Sequence, residues 1–178
     1  MNLLTLFCDV IGKFVSKFVA GLLVILIVDV SWQVITRFLL ERPSSFTEEI
    51  ARFLLIWISM LGAAVAYRHA DHLGFDLLVS KTKPTTQTII RKMNALLALI
   101  FGVVVLCIGG GNVVYIVYSM EQFSSVLGIN MAYIYMVLPI AGLLFVLFAL
   151  ERFMSTTDAL SNEPNKSLSD DQKGAQND

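Results

Sequence analysis

Residues 45–69 open with Ser45-Phe46-Thr47-Glu48-Glu49-Ile50-Ala51-Arg52-Phe53 and close with Ala66-Tyr67-Arg68-His69. Between Ile50 and Tyr67 the residues are apolar or small, apart from Arg52. A helix that crosses a bilayer needs roughly 20 mostly apolar residues. This stretch is at the short end of that length, and its ends carry charge. Three further stretches repeat the pattern on either side, at about Val15 to Leu39, Met93 to Tyr118 and Met131 to Leu150. The expected fold is an all-α integral membrane protein with four transmembrane helices, spans about 15–39, 50–67, 93–118 and 131–150. They use nearly the whole chain to Leu150, so no separate soluble domain fits.

Composition agrees. The 178 residues are 56% hydrophobic and 15% charged, against roughly 45–50% and about 25% in soluble chains, and the mean hydropathy is +0.73. A soluble globule, a disordered chain and a disulfide-stapled secreted domain are all disfavoured. The formal net charge of −1 gives no long-range field to recruit nucleic acid. Cys8 lies near the N-terminus and Cys107 inside an apolar run, so no disulfide is expected between them.

Lys13 and Lys17 precede the first span as in a signal peptide, but the apolar stretch runs far beyond a 7–15 residue core and lacks a clear cleavage site. It reads as a retained helix. Ahead of it, Leu3, Leu6, Phe7, Val10 and Ile11 recur at near-helical spacing, which fits a short helix in the membrane interface or a frayed terminus. The middle loop suggests a second interfacial helix. Near the span ends, nine cations fall on one side: Lys13, Lys17, Arg68, Lys81, Lys83, Arg91, Lys92, Arg152 and Lys166. Only Arg37, Arg42 and Arg52 fall on the other. Positive charge marks the cytoplasmic side, so both termini are expected there. Residues 1–154 then form the membrane domain. Residues 155–178, rich in Ser, Asn, Asp, Gln and Lys, form a polar tail too poor in apolar residues to order itself. The halves share no repeat, which counts against an inverted-repeat transporter complete in one chain.

Polar residues inside this apolar frame are the candidate functional positions. Asp29 falls near the middle of the first expected span, where a carboxylate facing lipid costs at least about 2.5 kcal/mol. With Gln33, Thr36 and Arg37 it forms a stripe that reads either as interhelix hydrogen bonds plus a snorkelling arginine or as an ion or proton path. Ser45 and Glu48 fit a capping box, and Glu48 and Glu49 fall in a first helical turn, where the helix dipole favours acids. Glu48 and Arg52 are an i,i+4 pair and Glu49 and Arg52 an i,i+3 pair. Arg52 lies so close to the apolar run that a buried ion pair or a subunit contact is expected. Gly62, Ala63, Ala64 and Ala66 permit close helix approach. Gly109-Gly110-Gly111 points to tight packing or a distorted helix, and Pro139 to a kink.

The middle loop carries His69, Asp71, His72 and Asp76 at spacings that match no strong metal motif. Both histidines are in this loop, so no span offers an imidazole to a haem. A phosphate loop, a nucleophile elbow and an HExxH helix are also missing from the sequence. No metal, cofactor or catalytic constellation is expected, and a membrane enzyme is the weakest reading.

Taken together, Gln33-Val34-Ile35-Thr36-Arg37-Phe38, Phe46 to Phe53, Trp57, Leu61-Gly62-Ala63-Ala64, and Arg68 with His72 and Asp76 resemble the signature of the small membrane subunit of tripartite ATP-independent periplasmic (TRAP) transporters, the DctQ-like proteins. In layout the resemblance covers residues 14–150, and its specific part is residues 33–76. Leu127-Gly128-Ile129-Asn130-Met131 and Pro139 are also similar, although many members carry proline where this chain has Asn130. The resemblance implies a bacterial inner-membrane subunit with both termini inside, paired with a large DctM-like subunit that carries the substrate and sodium sites and moves as an elevator. It also implies a periplasmic binding protein that delivers an organic acid anion, such as a C4-dicarboxylate or sialic acid. The small subunit would brace the static scaffold among membrane lipids and help dock the binding protein. On the matched positions, Arg37, Glu48, Glu49 and Arg52 become candidates for ion pairs or subunit contact on the periplasmic side, with His72 and Asp76 at the cytoplasmic interface. The alternative is a self-assembling channel or carrier lined by the Asp29, Gln33 and Arg37 stripe.

Overall fold

A computed structural model describes residues 3–39, 45–69 and 84–154. Helix α1 is Leu3–Leu39 and α2 is Ser45–His69. Helix α3 is continuous in three parts, an α-helix Pro84–Ile100, a π-helical stretch Phe101–Gly109 and an α-helix Gly110–Ser119. Helix α4 is Ala132–Met154. Each of the four contains a window long and apolar enough to cross a membrane. Among the described residues there is no strand, only a single antiparallel bridge between Phe123 and Asn130.

The first helix differs from the expectation. Residues 3–14 do not form a separate interfacial piece but continue straight into the span, giving 37 residues, roughly 55 Å at about 1.5 Å per residue. No proline interrupts residues 3–39, and Gly12 and Gly21 do not break the helix. The expected middle-loop helix, residues 70–83 and the tail 155–178 lie outside the described residues. The α3 helix starts earlier than expected, at Pro84, where proline's missing N–H costs nothing because the first amides of a helix have no internal acceptor.

Lipid tails are as apolar as leucine, so burying leucine against leucine does little to hold membrane helices together. Close packing of small residues and interhelix hydrogen bonds must do it. The buried residues follow this rule: Ala51, Ala64, Ala95, Ala132, Ala141 and Ala149 are all buried. Cys8 of α1, Leu61 and Ala64 of α2, and Val137, Leu144 and Phe148 of α4 join three helices into one small core, with Trp57 packed half-buried against it. The remaining helix, α3, is drawn against α4 by glycine. A Cβ on Gly142 would lie 2.8 Å from Leu106 Cβ, and one on Gly110 would lie 2.7 Å from Leu138 Cβ. The π-helical stretch Phe101–Gly109 runs through this seam, with Gly102 against Phe145 and Val146 and Cys107 facing the Pro139 carbonyl, and α4 is interrupted by a turn at Met136, three residues before Pro139. The distortion and kink expected from Gly109-Gly110-Gly111 and Pro139 are thus two sides of one contact.

Candidate functional site

The polar residues that hold the helices fall into two layers at opposite ends of the bundle. Asp9 and Asp29, Glu48 and Arg68, and Ala132 and Arg152 are each 20 residues apart, roughly 30 Å at about 1.5 Å per residue, which is the thickness of a hydrocarbon core.

One layer is built on Arg68, in the last turn of α2. Its Nη1 donates to the backbone oxygen of Cys8, and its Nη2 pairs with Asp9 Oδ1 at 2.6 Å and with Glu151 Oε1 at 3.6 Å. Its Cζ lies 5.0 Å from the centre of the Phe148 ring. One guanidinium therefore ties α1, α2 and α4 together, using its planar fork of donors as a lysine could not. Gly12 makes room for it, since a Cβ there would sit 3.0 Å from Arg68 Cδ. The side chains of Arg68 and Glu151 are each only 15% exposed. Nearby, Arg152 stacks over Tyr67 at 5.4 Å and Lys92 over Phe153 at 5.9 Å.

The second layer joins the far ends of α1 and α2 to the α3–α4 connection. Gln33 Nε2 donates to Asp29 Oδ2 at 2.8 Å and to the backbone oxygen of Thr47 at 3.0 Å, so the amide fastens α1 to α2. Thr36 and Thr47 are buried beside it. Asp29 lies ten residues from the Leu39 end of α1 and belongs to this layer through its bond with Gln33. Glu48 pairs with Arg52 at 3.3 Å, both side chains about two-thirds exposed. Glu49 does something else: its Oε2 accepts the amides of Val126 at 3.2 Å and Leu127 at 3.1 Å, pinning the connection to the start of α2. Arg52 makes its close ion pair with Glu48 and acts on Glu49 through its charge alone, and the pair is exposed rather than buried.

The sequence-predicted positions are thus divided. Asp29 and Gln33 sit in the α1–α2 seam, Glu48, Glu49 and Arg52 at the start of α2, and Arg37 is exposed on the last turn of α1 with no ion pair to another described residue. Gly62 faces Val19 of α1 at 4.0 Å. Trp57 belongs to the core, and Arg68 to the opposite layer. His72 and Asp76 lie outside the described residues. Sequence reading missed Asp9, Gly12 and Glu151, the partners of Arg68. Their only signal was that each sits at the end of an apolar run, and which run faces which is not written in one chain. Among the described residues no group of three or more His, Cys, Asp or Glu side chains is placed to hold a metal ion.

Among the described residues the two polar layers lie about one bilayer apart and their bonds are made within the chain. The family model described as "Tripartite ATP-independent periplasmic transporters, DctQ component" matches residues 25–158. The chain belongs to the DctQ family. A Haemophilus influenzae protein, named provisionally as a TRAP transporter small permease protein, is 27% identical over 146 residues, covering 82% of this chain and 89% of the relative. The sialic acid TRAP transporter small permease protein SiaQ of Vibrio cholerae is 26% identical over 139 residues, covering 75% of this chain and 76% of the relative. This DctQ chain is therefore a transporter component and a multi-pass protein of the bacterial inner membrane.

Proposed function

We propose that this chain is the small, non-catalytic scaffold subunit of a sodium-driven TRAP transporter that imports an organic acid anion. In this reading residues 1–154 are the membrane domain and 155–178 a cytoplasmic tail. The chain braces a large elevator-type DctM-like subunit and helps a periplasmic binding protein dock. The observation that carries the proposal is where the embedded polar groups go. Arg68, Glu151, Asp29 and Gln33 bond to the chain's own helices. The face of α1 running through Phe14, Phe18, Ile25, Val28, Trp32 and Ile35 is left apolar and exposed. A scaffold needs that arrangement, whereas a pore needs polar groups pointing into a free path. Placing Asp29 and Gln33 in the α1–α2 seam argues against the channel alternative. The excess of Lys and Arg supports placing the Arg68 layer in the cytoplasmic leaflet and the Glu49 layer in the periplasmic one.

Extraction in mild detergent is expected to bring a larger membrane subunit down with this chain. Uptake by the isolated chain in sodium-loaded gradient vesicles would overturn the proposal. Arg52→Glu is expected to weaken assembly or uptake more than Lys83→Glu. An exposed pair such as Glu48–Arg52 stabilises a fold by no more than about 1 kcal/mol, so a large effect at Arg52 reports a partner rather than misfolding.

A further inference from the structure

The connection between α3 and α4 turns its backbone inward and its apolar side chains outward. Ser124 N–H donates to Ile129 O at 2.8 Å, Gly128 N–H to Ser124 O at 3.1 Å, and Met131 N–H to Gln122 O at 2.8 Å. The Asn130 carboxamide oxygen accepts the Ala132 amide at 2.9 Å, opening α4. Glu49 holds two more amides from outside. Glu121 and Gly128 take the left-handed backbone conformation, at φ 47° and 63°, that such a compact turn requires. The result is a rigid loop with Phe123 59%, Val126 48% and Ile129 44% exposed. Held this way in water, these side chains could neither collapse on one another nor hide.

Depth and composition both say what covers them. Ala132, where α4 starts, lies 20 residues from Arg152, roughly 30 Å at about 1.5 Å per residue, so the loop begins where a hydrocarbon core ends. Tyr115 and Tyr118 on the last turns of α3, and Tyr133 on the first turn of α4, are all exposed. Tyrosine is enriched where an apolar ring can lie in the acyl boundary and its hydroxyl in the headgroups. Between Ser119 and Met131 the only charged residue is Glu121, so the loop lacks the charge pattern that steers a soluble protein onto a surface.

We propose that residues 120–131 are an interfacial anchor whose occupant is lipid, with Phe123, Val126 and Ile129 seated at the acyl boundary and Glu49 setting the angle at which they enter. The anchor needs only a bilayer and does not depend on the transporter reading.

The test is nitroxide accessibility in the full chain, in nanodiscs of phosphatidylethanolamine and phosphatidylglycerol, with Cys8→Ala and Cys107→Ala and single cysteines at Phe123, Val126, Ile129, Glu121 or Ser125. Labels at Phe123, Val126 and Ile129 should collide with oxygen more than with a water-soluble nickel chelate, and labels at Glu121 and Ser125 should do the reverse. Greater chelate access at all five would place the loop in water and overturn the proposal. So would shielding from both reagents at the three apolar positions in the complex with the co-purified subunit or a binding protein, because protein would then be the cover. Where the cysteine-free parent fails to fold, the unmodified chain is irradiated in nanodiscs containing a diazirine phospholipid. Adducts on residues 120–131 support the anchor, and their absence while α4 is labelled overturns it.

Discussion

The Arg68 end and the Glu49 end of the bundle solve the same problem with different chemistry. At the first, one cation gathers a backbone carbonyl, two carboxylates and an aromatic ring from helices that are far apart in sequence. At the second, a neutral amide joins two adjacent helices and a carboxylate accepts backbone amides of a loop, while the nearest ion pair is left in the open. The difference lies in burial. Removing one member of a charge cluster leaves the others stranded in a poorly solvated place, so the Arg68 end is all-or-none. The Glu49 end can lose contacts one at a time. The first is suited to holding helices in fixed relation, the second to presenting a surface.

Four substitutions sharpen or break that contrast. Arg68→Met strands Glu151 and should cost about 3 kcal/mol of stability, the lower end for a broken buried pair because both side chains keep some solvent access. Thermal unfolding in detergent would read this, and the double variant Arg68→Met with Glu151→Leu should recover part of it. If Arg68→Met melts like the parent, the Arg68 end is no lock. Gly142→Ala drives a methyl into Leu106 and Cys107 and should cost about 2 kcal/mol by overpacking. The matched control is Gly21→Ala, which meets open space and should be neutral or slightly stabilising. Glu49→Ala removes the acceptor of two amides, so hydrogen exchange at Val126 and Leu127 should quicken while α4 stays protected. Exchange that quickens throughout would mean the two ends are not separable. The smallest effect belongs to Glu48→Gln, which breaks an ion pair with both members about two-thirds exposed and should change stability, read from thermal unfolding, by no more than about 0.5 kcal/mol.

Residues that act through local rules could be read early. The Glu48–Arg52 pair, the tight packing at Gly110 and the break near Pro139 all follow from spacing along one helix or from what glycine and proline lack. Contacts that depend on neighbours in space were not legible. The charge of Arg52 does act on Glu49, three residues away, but only the return of the chain at residues 126 and 127 shows that Glu49 also accepts two backbone amides. Asp29 reads in sequence as part of a stripe on one helix, and only the packing of α1 on α2 shows that its partner Gln33 also reaches the Thr47 carbonyl. The small-residue patch also divides, with Ala64 buried in the core while Ala63 and Ala66 face out.

Apolar run lengths and the side on which Lys and Arg accumulate are properties of consecutive residues, so the number of helices and their membrane character followed from the chain read in order. Which helix touches which did not. A bilayer offers every apolar face equal comfort, so hydropathy is silent about neighbours. The choice falls to the few places where a glycine lets backbones meet or a charge finds its complement, and those places exist only after the helices have come together.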